Sequence, residues 1–147
     1  MQFKQLHPNF QLPTKGSYSA GGYDLYMPEA GKVGEYDFTS ETNTHKLVGL
    51  GFAAAVPKGY VALIFPRSGA GAKHGIELRN TCGVIDADYR GEWMVAIAQK
   101  EGHEFGWAAG ERLFQYILVP AGTSEPELVS ELTETARDVG GFGSSGK

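Results

Sequence analysis

Cysteine is almost absent from this chain. Cys82 stands alone, which excludes an internal disulfide and any zinc site built on thiolates. Nothing nearby announces the activating environment of a reactive thiol, so Cys82 reads as a small buried apolar residue. His7, His45, His74 and His103 have no metal-ligand spacing. Basic charge is also short: 13 Lys and Arg against 17 Asp and Glu give a formal net charge of -4, with no basic block. Bulk attraction to nucleic acid or to an anionic membrane is therefore not expected. A polyanionic ligand would have to be met by local arginines, backbone amides or a metal. No apolar run approaches the ~20 residues of a membrane-crossing helix, and the N-terminus has no basic-then-apolar leader. A cytoplasmic setting is the resulting expectation. Helical periodicity is nearly missing as well.

What the chain has instead is glycine and short alternating segments. Its 21 glycines are roughly twice the ~7% of ordinary chains and favour turns over long helices. Gln2 to Leu6, Tyr23 to Met27, Lys46 to Val56, Tyr60 to Phe65, Ile76 to Leu78, Trp93 to Gln99, Arg112 to Val119 and Leu128 to Leu132 read as strands. Between them, residues 28 to 46 and 100 to 109 read as polar loops. In Lys46 to Val56, Val48, Leu50, Phe52, Ala54 and Val56 share one face. Gly49, Gly51, Ala53 and Ala55 share the other, which calls for a second sheet or chain pressed close. The expected fold is all-β, a jelly-roll-like barrel or sandwich with little helix. Residues 1–132 form the domain and residues 133–147 a flexible C-terminal arm.

Gly83 to Glu92 organises the rest. Val84-Ile85 favours extended backbone, Gly91 a turn, and strand residues resume at Trp93. This predicts a β-hairpin whose tip carries Asp86, Asp88, Tyr89 and Arg90. A tip that only turned would use Asn-Gly or Asp-Gly. Here it is either an ordinary polar loop or a site with a carboxylate able to act as general base on a water. Arg67-Ser68-Gly69-Ala70-Gly71-Ala72 follows an apolar strand. It reads as a flexible turn or as free amides, a forked cation and a hydroxyl for an anion. Asp24 sits within a strand and is solvated or, if inward, paired with a base. Gln115 is the one polar residue in its row, either a satisfied amide or a group aimed at a ligand. The end, Gly141-Phe-Gly-Ser-Ser-Gly-Lys147, has the spacing of a phosphate-binding Walker loop but no helix to follow it, so that reading fails.

The Gly83 to Glu92 stretch resembles the third motif of the trimeric dUTPase family. Ala20-Gly21-Gly22-Tyr23-Asp24-Leu25, Pro66-Arg67-Ser68-Gly69-Ala70, Gly110-Glu111-Arg112-Leu113-Phe114-Gln115 and Arg137 to Gly146 resemble that family's other motifs, in its order. The resemblance spans about residues 18 to 146. It implies a homotrimer with sites at subunit interfaces that hydrolyses dUTP to dUMP and pyrophosphate. Such an activity keeps uracil out of DNA and supplies dUMP. It implies Mg²⁺ held through substrate phosphates and water, with no direct protein ligand. Asp86 would activate the water that attacks the α-phosphorus. Tyr89 would lie under the deoxyribose and leave no room for a 2′-hydroxyl. Asn80, Gly83, Val84 and Ile85 would pair with the polar edge of uracil, with Met94 packed nearby. Arg67, Ser68 and Gly69 would hold phosphates, Gln115 the α-phosphate region. Asp24 would support the site by pairing with Arg137, while Glu111 and Arg112 would be structural. Phe142 would stack on uracil, with Arg137, Gly143, Ser144 and Ser145 on the phosphates as the arm closes.

The chain departs from the family at Asp138, where glycine is common after the arm's arginine, and at Ser145, often threonine. Gly22 stands for a commoner alanine and Ala70 for a commoner leucine. The absence of a long insert suits a bacterial or phage enzyme. Two alternatives use the same fold: a dCTP deaminase, which needs a glutamate to shuttle protons at the base, and a regulatory trimer that binds dUTP and signals through a partner.

Overall fold

The alternating segments pair into three antiparallel sheets. In the computed structural model, residues 1–34, 45–99, 104–122, 124–136 and 139 are described. The strands are β1 (Gln2–Gln5), β2 (Tyr23–Tyr26), β3 (Gly31–Val33), β4 (His45–Ala55), β5 (Tyr60–Pro66), β6 (Ile76–Leu78), β7 (Gly83–Ile85), β8 (Glu92–Gln99), β9 (Phe105–Trp107) and β10 (Arg112–Pro120). One helix, α1 (Ser68–His74), joins β5 to β6. One sheet has the order β1-β4-β8-β6, a second β2-β10-β5-β7, and β3 pairs with β9. Among the described residues, two four-stranded sheets with one short helix make the all-β, jelly-roll-like sandwich that the pattern predicts.

The core lies between the two larger sheets. Leu50 and Phe52 of β4 and Trp93, Val95 and Ile97 of β8 face Leu25, Ile64, Phe114 and Tyr116, all buried. Trp93 links the layers, with Phe52 at 5.2 Å on one side and Tyr116 edge-on at 5.4 Å on the other. Each such fully buried apolar side chain contributes about 1.5–3 kcal/mol. The small-residue face of β4 is filled from within the chain. Gly51, at φ 77°, takes two backbone hydrogen bonds on its carbonyl, from Leu6 and His7. A Cβ there would stand 2.7 Å from that of His7, and a Cβ at Gly49 would stand 2.3 Å from the Glu92 carboxylate.

Several expectations are corrected. The strands on either side of Asp86 to Gly91 do not form a hairpin. Gly83, Val84 and Ile85 pair with Ile64, Leu63 and Ala62 of β5, whereas β8 pairs with β4 and β6. The stretch is a crossover between sheets, because the inward faces of β7 and β8 are buried on opposite sides of one core. Residues 68–74 are helical where a Gly-rich turn was expected. Buried Ala70 seats the helix, and Gly75, left-handed at φ 62°, closes it with amide bonds to the Ala70 and Gly71 carbonyls. The supposed loops supply β3 and β9. Leu128 to Leu132 forms no strand, and Leu128 and Leu132 stand in solvent. Cys82 is half-buried rather than in the core.

Candidate active site

Two groups of predicted site residues flank β5 in the second sheet. The first gathers where β5 runs into α1. Pro66 ends the strand and Arg67 is the extended residue that caps the helix, at φ −68° and ψ 151°. The Arg67 amide donates to the Leu113 carbonyl (2.8 Å) and its Nη1 to the Arg112 carbonyl (3.1 Å), tying the junction to β10. Ser68 and Gly69 open the helix, are exposed, and present first-turn amides that have no carbonyl one turn back.

Asp24 fixes the arginine. It lies on β2 beside β10 and is buried, with a side chain 8% exposed. Its Oδ1 is 2.9 Å from Arg67 Nε and its Oδ2 is 3.2 Å from Arg112 Nη1. Both carboxylate oxygens are thus paired with cations, which offsets the cost of burying the charge. The expected partner, Arg137, lies outside the described residues. Arg112 shares Asp24 with Arg67. Sequence reasoning missed that role, although the register of β2 with β10 sets Asp24 opposite Gln115.

Gln115 joins this group. It is half-buried on β10 and opposite both Asp24 and Phe65. Its Nε2 reaches toward the Pro66 carbonyl at 3.5 Å. A Cβ at Gly22 would stand 2.6 Å from its Oε1. The missing side chain of Gly22 is the space in which this amide sits.

The second group follows β7. Because β7 is the edge of its sheet, one side of its backbone has no strand partner among the described residues. Before it, Cys82 N donates to Asn80 O at 2.7 Å around Thr81, which has φ 67°. A β-branched residue rarely accepts that conformation. Asn80 Nδ2 closes the same turn on the Cys82 carbonyl (3.1 Å). After it, Asp86 is exposed, and among the described residues its carboxylate has no hydrogen-bond or ion-pair partner. Tyr89 donates its hydroxyl to the Glu92 carbonyl (3.0 Å). Arg90 Nη1 donates to the carbonyls of Ala87 (2.7 Å) and Tyr89 (2.9 Å), bracing the crossover.

The register keeps Asp86 apart from Arg67. Ile85 sits opposite Ala62, so Asp86 lies level with the start of β5 while Arg67 follows its end. Five to six residues of strand separate them, roughly 17–20 Å along the chain at ~3.3 Å per residue. Met94 is in the other sheet, exposed, and opposite Gly49. Phe142, Gly143, Ser144 and Ser145 lie outside the described residues. Among the described residues no three His, Cys, Asp or Glu side chains come together to hold a metal.

The chain is 38% identical over 146 residues to the deoxyuridine 5'-triphosphate nucleotidohydrolase of Syntrophotalea carbinolica, covering 99% of this chain and 96% of that protein. It is 39% identical over 155 residues to the protein of the same name from Psychrobacter cryohalolentis, covering 100% and 97%. Among solved structures it resembles the dUTPase of Staphylococcus bacteriophage 80alpha, a G164S mutant with dUpNHpp. That match has a TM-score of 0.83 and 25% identity, covering 99% of this chain and 98% of that one. The dUTPase family model matches residues 8–146, and with nearly the whole sequence and fold accounted for, the chain belongs to the dUTPase family.

Proposed function

We propose that this chain hydrolyses dUTP to dUMP and pyrophosphate, in sites that neighbouring subunits of a homotrimer build together. The observation that carries the reading is the separation of Asp86 from Arg67 along β5. A single nucleotide needs both a base at its α-phosphorus and cations on its phosphates, and one chain holds these at opposite ends of a sheet. A neighbouring copy supplies the missing half. The outer face of the second sheet gives such a copy something to bury. Val61, Leu63 and Phe65 of β5 and Ile117 and Val119 of β10 face outward, half-buried, with exposed Val84 beside Leu63. A continuous apolar face of this kind marks an interaction surface.

In this reading one subunit presents Arg67, Ser68, Gly69 and Gln115 to the phosphates, with Asp24 holding Arg67 in place. Another presents the Asn80 turn and the free edge of Gly83, Val84 and Ile85 to uracil, which rejects cytosine by its donor pattern. Tyr89 lies beneath the deoxyribose. Asp86 takes the proton of a water as its oxygen attacks the α-phosphorus, and the bond to the bridging oxygen breaks to release pyrophosphate. The arm residues Arg137, Phe142, Gly143, Ser144 and Ser145 close over the nucleotide and exclude bulk water. With no protein ligand assigned to it, Mg²⁺ bound through the substrate phosphates and water would supply charge neutralisation. The setting is cytoplasmic; among the described residues no helix is long and apolar enough to cross a membrane.

The test is an assay of the purified protein with dUTP, dCTP, UTP and dTTP in the presence of Mg²⁺, alongside Asp86→Asn. The expected result is dUMP and pyrophosphate from dUTP alone, with the variant reduced by at least about 10²-fold, the usual range for a lost general base. Ammonia from dCTP would favour a deaminase. Binding of dUTP without turnover would favour a regulatory trimer.

A further inference from the structure

Tyr89 is not simply an aromatic at the end of a loop. Its hydroxyl donates back to the Glu92 carbonyl at 3.0 Å, which folds the ring across Gly91. A Cβ at Gly91 would stand 2.4 Å from Tyr89 Oη, 2.6 Å from Cζ and 3.0 Å from Cε2. Non-bonded carbon contacts settle near ~3.5–4.0 Å, so the ring occupies the place where any other residue would carry its side chain. Glu92 is itself held. Its Oε1 accepts the Gly51 amide at 2.9 Å, and its carboxylate fills the space beside bare Gly49. The phenol is therefore referenced to β4, through Glu92, rather than to the exposed crossover that carries it.

We infer that Gly91 is a specificity-determining residue, and Glu92 its support, because together they set the position of the Tyr89 ring beneath the pentose. The inference rests on the proposed place of Tyr89 under the deoxyribose. It adds that sugar discrimination depends on the absence of a side chain at 91 as much as on the presence of a ring at 89. A methyl group at 91 meets the far end of a side chain, not backbone. The ring swings aside and the fold survives. A displaced ring leaves space at C2′, so a ribonucleotide gains access.

The experiment measures kcat/KM for dUTP and for UTP with the full-length protein, with Gly91→Ala and with Tyr89→Phe, each checked for folding by its thermal transition. In Gly91→Ala the dUTP-to-UTP ratio is expected to fall by about tenfold or more, through a rise in the UTP value. A general structural defect would lower both values together and leave their ratio alone. Tyr89→Phe keeps the ring but cuts its bond to the Glu92 carbonyl, and the ratio is expected to fall about threefold or more. A folded Gly91→Ala protein whose ratio stays within about twofold of the starting protein overturns the inference. If Gly91→Ala does not fold, an unchanged ratio in Tyr89→Phe overturns it instead. If the unsubstituted protein leaves dUTP untouched, the functional reading has failed first, a different and recognisable result.

Discussion

Asp24 and Arg67 lie 2.9 Å apart, carboxylate Oδ1 to guanidinium Nε, although one belongs to β2 and the other follows β5. Strand β10 lies between those two strands in the sheet, and its first residue, Arg112, takes the other carboxylate oxygen. A buried acid thus holds two arginines side by side at the head of the helix. Asp24→Asn removes the charge and leaves two cations facing each other. Both guanidinium groups reach solvent, at 36% and 42% exposure, so the loss is screened. Stability is expected to fall by about 1–3 kcal/mol. KM for dUTP is expected to rise by about tenfold or more, as Arg67 loses its orientation. Urea unfolding and steady-state kinetics check both. A KM that does not move would mean that Asp24 serves the fold alone.

Gly22 and Gln115 make a second pair whose coupling can be measured. A Cβ at 22 would come within 2.6 Å of Gln115 Oε1, and only the end of a flexible side chain has to yield. Gly22→Ala is therefore expected to fold and to lower kcat/KM for dUTP about three- to tenfold by turning the amide away. Once Gln115→Ala has removed that amide, adding Gly22→Ala should cost little more. Neighbours that act through one another are not additive. Two losses that simply multiply would show that Gly22 acts by some other route.

Strand alternation made most of the sandwich legible, because a period of two survives in Lys46 to Val56 and Arg112 to Val119 whatever the tertiary context. Pairing was not legible. Val84-Ile85 and Trp93 to Gln99 are separated by a turn-like stretch, and nothing local says that each is buried against a different sheet. The helix at 68–74 hid because Ser-Gly-Ala-Gly-Ala has the composition of a loop, and what stabilises it is the burial of Ala70 and the left-handed Gly75. Leu128 to Leu132 has strand-forming residues but finds no partner within the described chain. Asp24 was legible only as an acid that is either solvated or, if inward, paired with a base. Its bases were not, since Arg67 and Arg112 reach it only through the β2-β10-β5 order.

Tyr116 gives a pH dependence. Burial, with Tyr23 stacked 5.1 Å away adding to it, pushes its phenol from 10.0 up to about 12. The folded state then keeps a proton that the unfolded chain releases above pH 10. The stabilisation is complete below pH 10 and is lost as pH rises toward 12, about 2–3 kcal/mol in all for a side chain only 3% exposed. Other tyrosines and lysines titrate in the same range, so the comparison is with Tyr116→Phe, which cannot ionise there. Denaturant midpoints taken from about pH 8 to about pH 12 should fall more steeply in the unsubstituted protein. Parallel curves would show that Tyr116 does not carry the alkaline loss.

The proposed sharing of the site between subunits makes a sharper prediction, because it can be tested without seeing the assembly. On the proposed mechanism Asp86→Asn lacks the base and Arg67→Ala lacks the phosphate cation, and each alone should be nearly inactive. If one subunit supplies Asp86 and its neighbour Arg67, mixed trimers contain some sites in which both intact residues meet. With two independent contributions drawn at random from an equal mixture, about one quarter of the sites are complete. Co-refolding the two variants in equal amounts should therefore restore about one quarter of the activity of the unsubstituted protein, while refolding either alone restores none. The double variant Asp86→Asn/Arg67→Ala, mixed in equal amounts with the unsubstituted chain, should also leave about one quarter, rather than the half expected of self-contained subunits. Failure of the first mixture to recover activity, together with half-activity in the second, would place Asp86 and Arg67 in one subunit's site. The roughly 17–20 Å between them along β5 would then have to close when substrate binds.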